Sequence, residues 1–350
     1  MTDRNYIGWD IGGAHLKMAH IDGRGRSLRA EQFATPLWQG LEPLVQALQE
    51  VKKKLPDTKL SHAVTTTGEL ADCFPDRKTG VCTLVERISS IFDNSQVLVY
   101  AGAGGFIPVN QAGDRYRQVA SANWHATTQF VARHYGSGVL MDIGSSTVDI
   151  VPFQQGSLCC RGHTDEERLR YNELVYSGIV RTPLMAITGQ VPYAGEWQPL
   201  AAENFACTAD IYRLTGELNE FDDMMVPADG GGKTVTDSAR RLARMVGVDI
   251  DPAASLAEWR RPARYIAEQQ LQTISCALHR VMSAAGLNEG TTLVGAGCGR
   301  FLVRKLAQRH ACHYADFEEI LYEPDKMPGA AGNCATAISV AQLARLAEHP

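Results

Sequence analysis

Apolar and polar positions alternate in short runs from the start of the chain. Residues 6–9, 15–21 and 27–33 read as three antiparallel strands, with Asp22-Gly23-Arg24-Gly25 as a hairpin turn between the last two. A helical period then predicts a helix over 41–55, stopped by Pro56-Asp57, followed by a strand at 62–64, a helix over 80–92 and a strand at 96–100. Gly102-Ala103-Gly104-Gly105 and Pro108 are taken as the approach to a domain boundary. The same grammar returns in a helix over 123–134 and strands at 138–142 and 148–153, closed by Gln154-Gln155-Gly156, which again suggests a three-strand meander. Residues 164–252 read mainly as helix and loop. Beyond them a helix over 263–285 feeds a strand at 291–294 and a helix over 301–308, and the small residues 329–333 open a last helix. The pattern is α/β in two domains, expected at 1–115 and 116–350, with an insertion at about 164–252 in the second.

One motif occurs twice at corresponding places in this order: Asp10-Ile11-Gly12-Gly13-Ala14-His15-Leu16-Lys17 and Asp142-Ile143-Gly144-Ser145-Ser146-Thr147-Val148-Asp149. Each follows an apolar run, so each leading acid is expected at the end of a buried strand. Gly12, Gly13 and Ala14, or Gly144 with Ser145, Ser146 and Thr147, can turn backbone N–H groups toward phosphate oxygens, the glycines supplying the turn. Asp10 and Asp142 are candidate ligands for Mg²⁺, which is held by one or two carboxylates together with water and phosphate. Lys17 is a candidate phosphate partner, and a solvated strand lysine is the bland alternative. Its counterpart is Asp149, so the copies suggest divided anion-binding and metal-binding roles.

Thr65-Thr66-Thr67-Gly68-Glu69 should follow a strand. Thr66, Thr67 and Gly68 can bind an anion and Glu69 can act as a base, with helix capping by Thr67 as the competing reading. His15 is a further candidate donor or base, whereas His125 more simply packs beneath the sheet. A third glycine loop, Gly295-Ala296-Gly297-Cys298-Gly299, contributes Gly295, Gly297 and Gly299 as candidate binding residues. Asp229-Gly230-Gly231-Gly232-Lys233-Thr234 lacks the first glycine and the preceding strand of a phosphate-binding P-loop.

Composition narrows the classes. A chain of 350 residues, 45% hydrophobic, can bury a large core, and a net charge of −5 gives no basic face for nucleic acid. No apolar run approaches the roughly 20 residues of a membrane span and no charged-then-apolar leader opens the sequence, so no membrane partner and a cytoplasmic location are expected. The nine cysteines include no C-x-x-C pair and read as reduced thiols. His310, Cys312 and His313 form too short a cluster to argue for a soft metal.

The duplicated hairpins and the later glycine loop resemble the actin, sugar-kinase and heat-shock ATPase superfamily. That resemblance implies two ribonuclease-H-like domains around a central cleft. Adding Thr66-Thr67-Gly68-Glu69-Leu70, Ser121-Ala122-Asn123-Trp124, Glu173-Leu174-Val175-Tyr176-Ser177-Gly178, Arg181-Thr182-Pro183, Thr208-Ala209-Asp210 and Gly232-Lys233-Thr234, nearly the whole chain resembles the hydantoinase/oxoprolinase-related proteins of tetrahydromethanopterin-linked one-carbon metabolism. Members of that group in methanogens act in methanofuran biosynthesis.

The resemblance implies a transferase that joins an aminomethylfuran-methyl diphosphate to the phenolic oxygen of γ-glutamyltyramine, or of a tyrosine-derived analogue as in methylofuran, and releases diphosphate. On that reading Asp10, Asp142 and Mg²⁺ assist departure of the leaving group. Glu69, then Asp149, then His15 are the candidate bases. Tyr176, Arg181 and Lys233 are expected to select the phenol, the two cations facing a carboxylate such as the glutamyl group, with surface pairing as their ordinary alternative. The partners are small molecules, and a homo-oligomer is allowed. An ATP-dependent small-molecule kinase or hydantoinase/oxoprolinase-like hydrolase, and a nucleotide-controlled binding module, are the alternatives.

Overall fold

The computed structural model describes residues 4–56, 58–92, 96–250, 255–321 and 330–348. Its first sheet has the order β3-β2-β1-β4-β5-β6. These strands are β1 (Asn5–Ile11), β2 (His15–Ile21), β3 (Ser27–Ala34), β4 (Leu60–Thr66), β5 (Gln96–Tyr100) and β6 (Phe106–Pro108). The first three form the expected antiparallel meander, and β4 joins β1 in parallel with Asp10 beside Thr65. The glycine-rich segment at 102–105 is a 3-10 turn that lets β6 fold back antiparallel on β5.

Helices α1 (Glu42–Lys54) and α2 (Arg77–Ile91) follow the predicted apolar stripes. Leu44, Leu48, Val51, Leu84 and Ile88 close over Ile7, Trp9, Ile11 and Val64 in one cluster. α3 (Tyr116–Val119) and α4 (Asn123–Tyr135) follow. β1 is buried along almost its whole length, as a strand covered on both faces must be. On its other face lies the last helix, whose small residues admit a close approach. A Cβ added to Gly8 would stand 1.8 Å from the carbonyl oxygen of Ala337.

The second sheet has the order β10-β8-β7-β13-β14, with β9 also pairing β8. Its strands are β7 (Gly138–Ile143), β8 (Val148–Gln154), β9 (Ser157–Leu158), β10 (Leu174–Val175), β13 (Thr292–Ala296) and β14 (His313–Asp316). The expected meander is present with one change: its third strand is in two pieces. β9 pairs Phe153 and Gln154 of β8, β10 pairs Val148 and Asp149, and α5 (Asp165–Tyr171) lies between them in the chain.

The insertion also contains a hairpin, β11 (Gln190–Tyr193) with β12 (Glu196–Pro199), that the pattern of residues 164–252 does not announce. Helices α6 (Thr208–Thr215) and α7 (Val235–Met245) complete it. α8 runs Ala257–Ala285, beginning six residues before the expected start because Pro262 is accommodated within it at the loss of one intrahelical bond. α9 (Arg300–Arg309), α10 (Ala330–Asn333) and α11 (Ala335–Glu348) finish the order; of the small segment at 329–333, residue 329 lies outside the described residues.

Residue contacts divide the chain into two compact units rather than at a single cut. The first comprises Met1–Leu140, Val151–Cys160 and Ala315–Pro350, and so includes α4, which follows the expected boundary at 115/116. The second comprises Met141–Ile150 and Arg161–Tyr314. Among the described residues no helix is long and apolar enough to cross a membrane.

Candidate functional site

The first hairpin caps the β1–β2 ladder in the first unit. Gly12 N–H bonds the His15 carbonyl at 2.9 Å, and the carbonyls of Gly13 and Ala14 accept from Leu37 and Thr35, each at 2.9 Å. Residues 35–37, leaving β3, thus serve as a backrest for the carbonyl side of the loop. The N–H groups of Gly13 and Ala14 find no acceptor among the described residues. Neither Gly12 nor Gly13 has positive φ, so this turn does not use the left-handed region. Gly12 is limited by space, its added Cβ falling 3.0 Å from the His15 carbonyl oxygen, whereas nothing lies within 4 Å of a Cβ at Gly13.

Asp10 and Lys17 are direct cross-strand partners, with Nζ 3.8 Å from Oδ2. His15 is buried in the same hairpin. The loop after β4 packs on this turn. Thr67 N–H and the Thr66 hydroxyl both donate to the Ile11 carbonyl, at 3.0 and 3.2 Å. Gly68 has no room for a side chain, because a Cβ would meet Leu37 Cδ1 at 2.6 Å. Thr67 does not cap the short helix Gly68–Leu70; instead Thr66 Oγ1 accepts from Gly68 N–H. Glu69, 1% exposed, accepts from the Ser121 hydroxyl at 2.9 Å and shares the Thr66 hydroxyl proton, at 3.2 Å, with the Ile11 carbonyl.

The second hairpin repeats the device in the second unit. Gly144 N–H bonds the Thr147 carbonyl at 2.9 Å, the counterpart of the Gly12–His15 bond. Its backrest is the segment 178–181: Gly178 donates to Ser146, Ile179 to Gly144, and Val180 and Arg181 to Ser145, at 2.9–3.1 Å. Gly178 must be glycine, since a Cβ would sit 2.3 Å from both the Ser145 carbonyl carbon and the Ser146 nitrogen. With the carbonyls occupied on one side, the N–H groups of Ser145, Ser146 and Thr147 have no acceptor among the described residues. Such an edge is suited to an anion. Arg181 adds charge there, its Nη1 3.1 Å from Ser146 Oγ.

Asp142 is the penultimate residue of β7 and is largely buried. The third glycine loop packs against it: Gly299 N–H donates to the Ile143 carbonyl at 2.8 Å, and Gly297, at φ 77°, would put a Cβ 2.4 Å from Asp142 Oδ1. Gly295 and Gly299 are restricted by Tyr314 and Ile143. All three glycines therefore have packing reasons. Among the described residues no three His, Cys, Asp or Glu side chains form a group able to hold a metal. Single strand-end carboxylates fit a hydrated Mg²⁺ shared with substrate phosphates and do not fit a cation held wholly by protein.

Asp149, expected as a base or metal partner, is paired with a cation within the second unit. Its carboxylate meets Arg168 of α5 at 2.8 Å, both side chains buried, and Arg168 also donates to the Glu173 carbonyl. Lys233 bonds Asp223, 3.3 Å from Oδ1, so its ordinary surface pairing is present, and it is not shown beside Arg181. Thr234 caps α7, and Asp229 pairs with Arg241 and Arg244. Tyr176 is exposed. His125 pairs with the Tyr100 hydroxyl at 2.8 Å, and His310 with Ser275 Oγ at 2.7 Å.

Comparisons with known proteins bear on the family and the fold. A methanocaldococcal relative, the (4-{4-[2-(gamma-L-glutamylamino)ethyl]phenoxymethyl}furan-2-yl)methanamine synthase of Methanocaldococcus jannaschii, is 33% identical over 244 residues, covering 69% of this chain and 72% of its own. The synthase of the same name from Methanococcus vannielii is 31% identical over 124 residues, 35% of this chain and 55% of its own. Among solved structures, a ROK family glucokinase from Streptomyces griseus, in complex with glucose and AMPPNP, aligns with TM-score 0.50 at 15% identity over 98% of this chain and 99% of that one. Nucleotide-free acetone carboxylase aligns with TM-score 0.54 at 12% identity over 96% and 70%. These two likenesses concern the fold, which is the α/β actin/hexokinase-like ATPase type. The family model for hydantoinase/oxoprolinase matches residues 61–339, a span that includes the second hairpin and its backrest, and the chain belongs to the hydantoinase/oxoprolinase family.

Proposed function

We propose that this protein is a synthase of methanofuran-type biosynthesis that makes an aryl ether from a furan-methyl diphosphate and the phenol of γ-glutamyltyramine or a tyrosine-derived analogue. The observation that carries the reading is the 33% identity, over 72% of its length, to the synthase named for that ether product. The geometry supplies a compatible chemistry. We assign the diphosphate to the amide edge of residues 145–147 with Arg181, fixed donors that stabilise negative charge as the furfuryl carbon–oxygen bond breaks. The electron-rich furan supports positive charge on the carbon, the phenolic oxygen forms the new carbon–oxygen bond, and diphosphate leaves.

Glu69 is the proposed acceptor of the phenolic proton. A phenol has a pKa of about 10, so removal of the proton as the bond forms relieves the carboxylate of ionising it beforehand. Asp142 is the proposed carboxylate for Mg²⁺, with Asp10 the second candidate. The ion, when bound, offsets the charge of the diphosphate. Asp10 already has Lys17 opposite, with Nζ 3.8 Å from Oδ2, which supports Asp142 as the first choice.

The test mixes purified protein and Mg²⁺ with the furan diphosphate and either phenol, and follows ether and diphosphate by mass spectrometry. Ether with equimolar diphosphate is expected, and no turnover with ATP alone. ATP consumption without ether would overturn the proposal.

A further inference from the structure

The second hairpin is held by a backrest that does not belong to its own strand. Residues 177 and 178 follow β10, and one side chain from the middle of α8 fastens them. Gln270 is completely buried, between Ile266 and Ile274 on the apolar stripe of that helix. Its Nε2 is 2.9 Å from the Ser177 carbonyl, 3.0 Å from Ser177 Oγ and 2.9 Å from the Gly178 carbonyl, and its Oε1 is 2.6 Å from the Tyr212 hydroxyl.

The direction of this network follows from chemistry alone. Two backbone carbonyls can only accept, so the amide NH₂ must face them, and its two hydrogens are shared among three acceptors. The amide oxygen is then turned to Tyr212, whose hydroxyl must donate. Burial pushes the Tyr212 phenol well above its ordinary range and keeps that proton in place. Every polar atom of the carboxamide is thereby used, and its orientation has one solution.

Beyond it the chain of support is continuous. α6 donates Ala209 N–H to the Val180 carbonyl at 3.2 Å and Thr208 N–H to Thr182 at 2.9 Å. The segment between these anchors then donates the four backbone bonds that hold residues 144–146. We propose that Gln270 is a positioning residue for the second hairpin: through Ser177 and Gly178 it fixes the backrest, and through the backrest it fixes the direction of the amide edge that receives an anion. The ligand half of this statement rests on the diphosphate reading; the positioning half rests on the bonds.

The test uses the full chain with Gln270→Met, which keeps length and volume but removes all four bonds, and Tyr212→Phe, which removes one. Amide hydrogen exchange is read at residues 178–181, the clamp donors, with β1 as the internal standard. About tenfold faster exchange at 178–181 is expected in Gln270→Met, with β1 unchanged and a smaller increase in Tyr212→Phe. Binding of inorganic diphosphate should weaken about tenfold in Gln270→Met, and KM for the furan diphosphate should rise while KM for the phenol holds.

Wild-type exchange at 178–181 in Gln270→Met would overturn the proposal. So would equal acceleration throughout the second unit with KM unchanged, the mark of a merely structural residue. Should Gln270→Met fail to fold, Tyr212→Phe decides by the same exchange readout. Failure of the wild-type protein to bind diphosphate would overturn the ligand assignment, and the exchange result would still decide the role of Gln270.

Discussion

The two hairpins start from the same Asp-Ile-Gly and arrive at different solutions for support and charge. In the first, the strand that pairs β2 continues straight into the backrest at 35–37, and the acid at position 10 faces a lysine on the neighbouring strand. The second has a third strand split into β9 and β10, a backrest fastened by helices of the insertion, and at the position of Lys17 a buried aspartate whose cation comes from α5. A repeat in sequence therefore marks equivalent backbone and leaves the side-chain electrostatics to be set by what is inserted around it. The first copy takes its backrest from the end of its own third strand, while the backrest of the second depends on residues far along the chain.

The largest test of this division concerns the leading acids. On the proposed assignment, Asp142→Asn should lower kcat by about a thousandfold, near 4 kcal/mol of transition-state stabilisation, and Asp10→Asn by only about tenfold. Steady-state kinetics at saturating Mg²⁺ would measure both, and equal losses would erase the distinction between the copies. Next, Arg168→Met leaves Asp149 charged and buried and should destabilise the fold by about 3 kcal/mol in urea titrations, whereas Lys17→Met should cost under about 1 kcal/mol. Replacing Asp149 as well, with leucine, should recover much of the Arg168 loss.

Acid separates the halves in another way. His62 of β4 is held neutral, its pKa lowered to about 4 by burial, with Nδ1 accepting the Trp9 indole N–H at 3.0 Å. An unfolded histidine binds its proton near pH 6.5, so between about 6.5 and 4 the unfolded chain carries one more proton than the folded one. The resulting stability is fully present above that range and is lost as pH falls toward and through about 4, by about 3 kcal/mol. Denaturant titrations across pH should show this slope, and His62→Gln should flatten it. The smallest contrast is between two glycines. Gly178→Ala should cost about 2 kcal/mol because backbone must move, while Gly13→Ala should leave Tm within a degree or two and affect only ligand binding.

Much of the framework is legible in the chain because its strands are short, apolar and bounded by turn residues. Both hairpins, the helices α1, α2, α4 and α9, and the place of the threonine loop follow from that patterning. β9 and β10 do not, since two-residue strands carry no period, and the first turn of α8 is concealed by Pro262. Among the site residues, the glycines at 12, 68 and 297 are tied to close backbone approach, a need that sequence can suggest but cannot distinguish from phosphate binding. Arg168 and Gln270 were invisible as parts of the second hairpin because their partners lie 19 and about 93 positions away. Gln270 did leave one trace: an amide where the 266, 270, 274, 278 stripe of α8 calls for an apolar side chain.

The broken third strand carries a consequence for how this chain can be altered. β9 and β10 each read their own register from β8, at Phe153–Gln154 and at Val148–Asp149. A change in the length of the chain between them is therefore absorbed without sliding either pairing, so the sheet acts as a socket that accepts cargo of different sizes. The cation that answers Asp149, and the Glu173 carboxylate that holds the amides of Arg161 and Gly162, have to travel with whatever is plugged in.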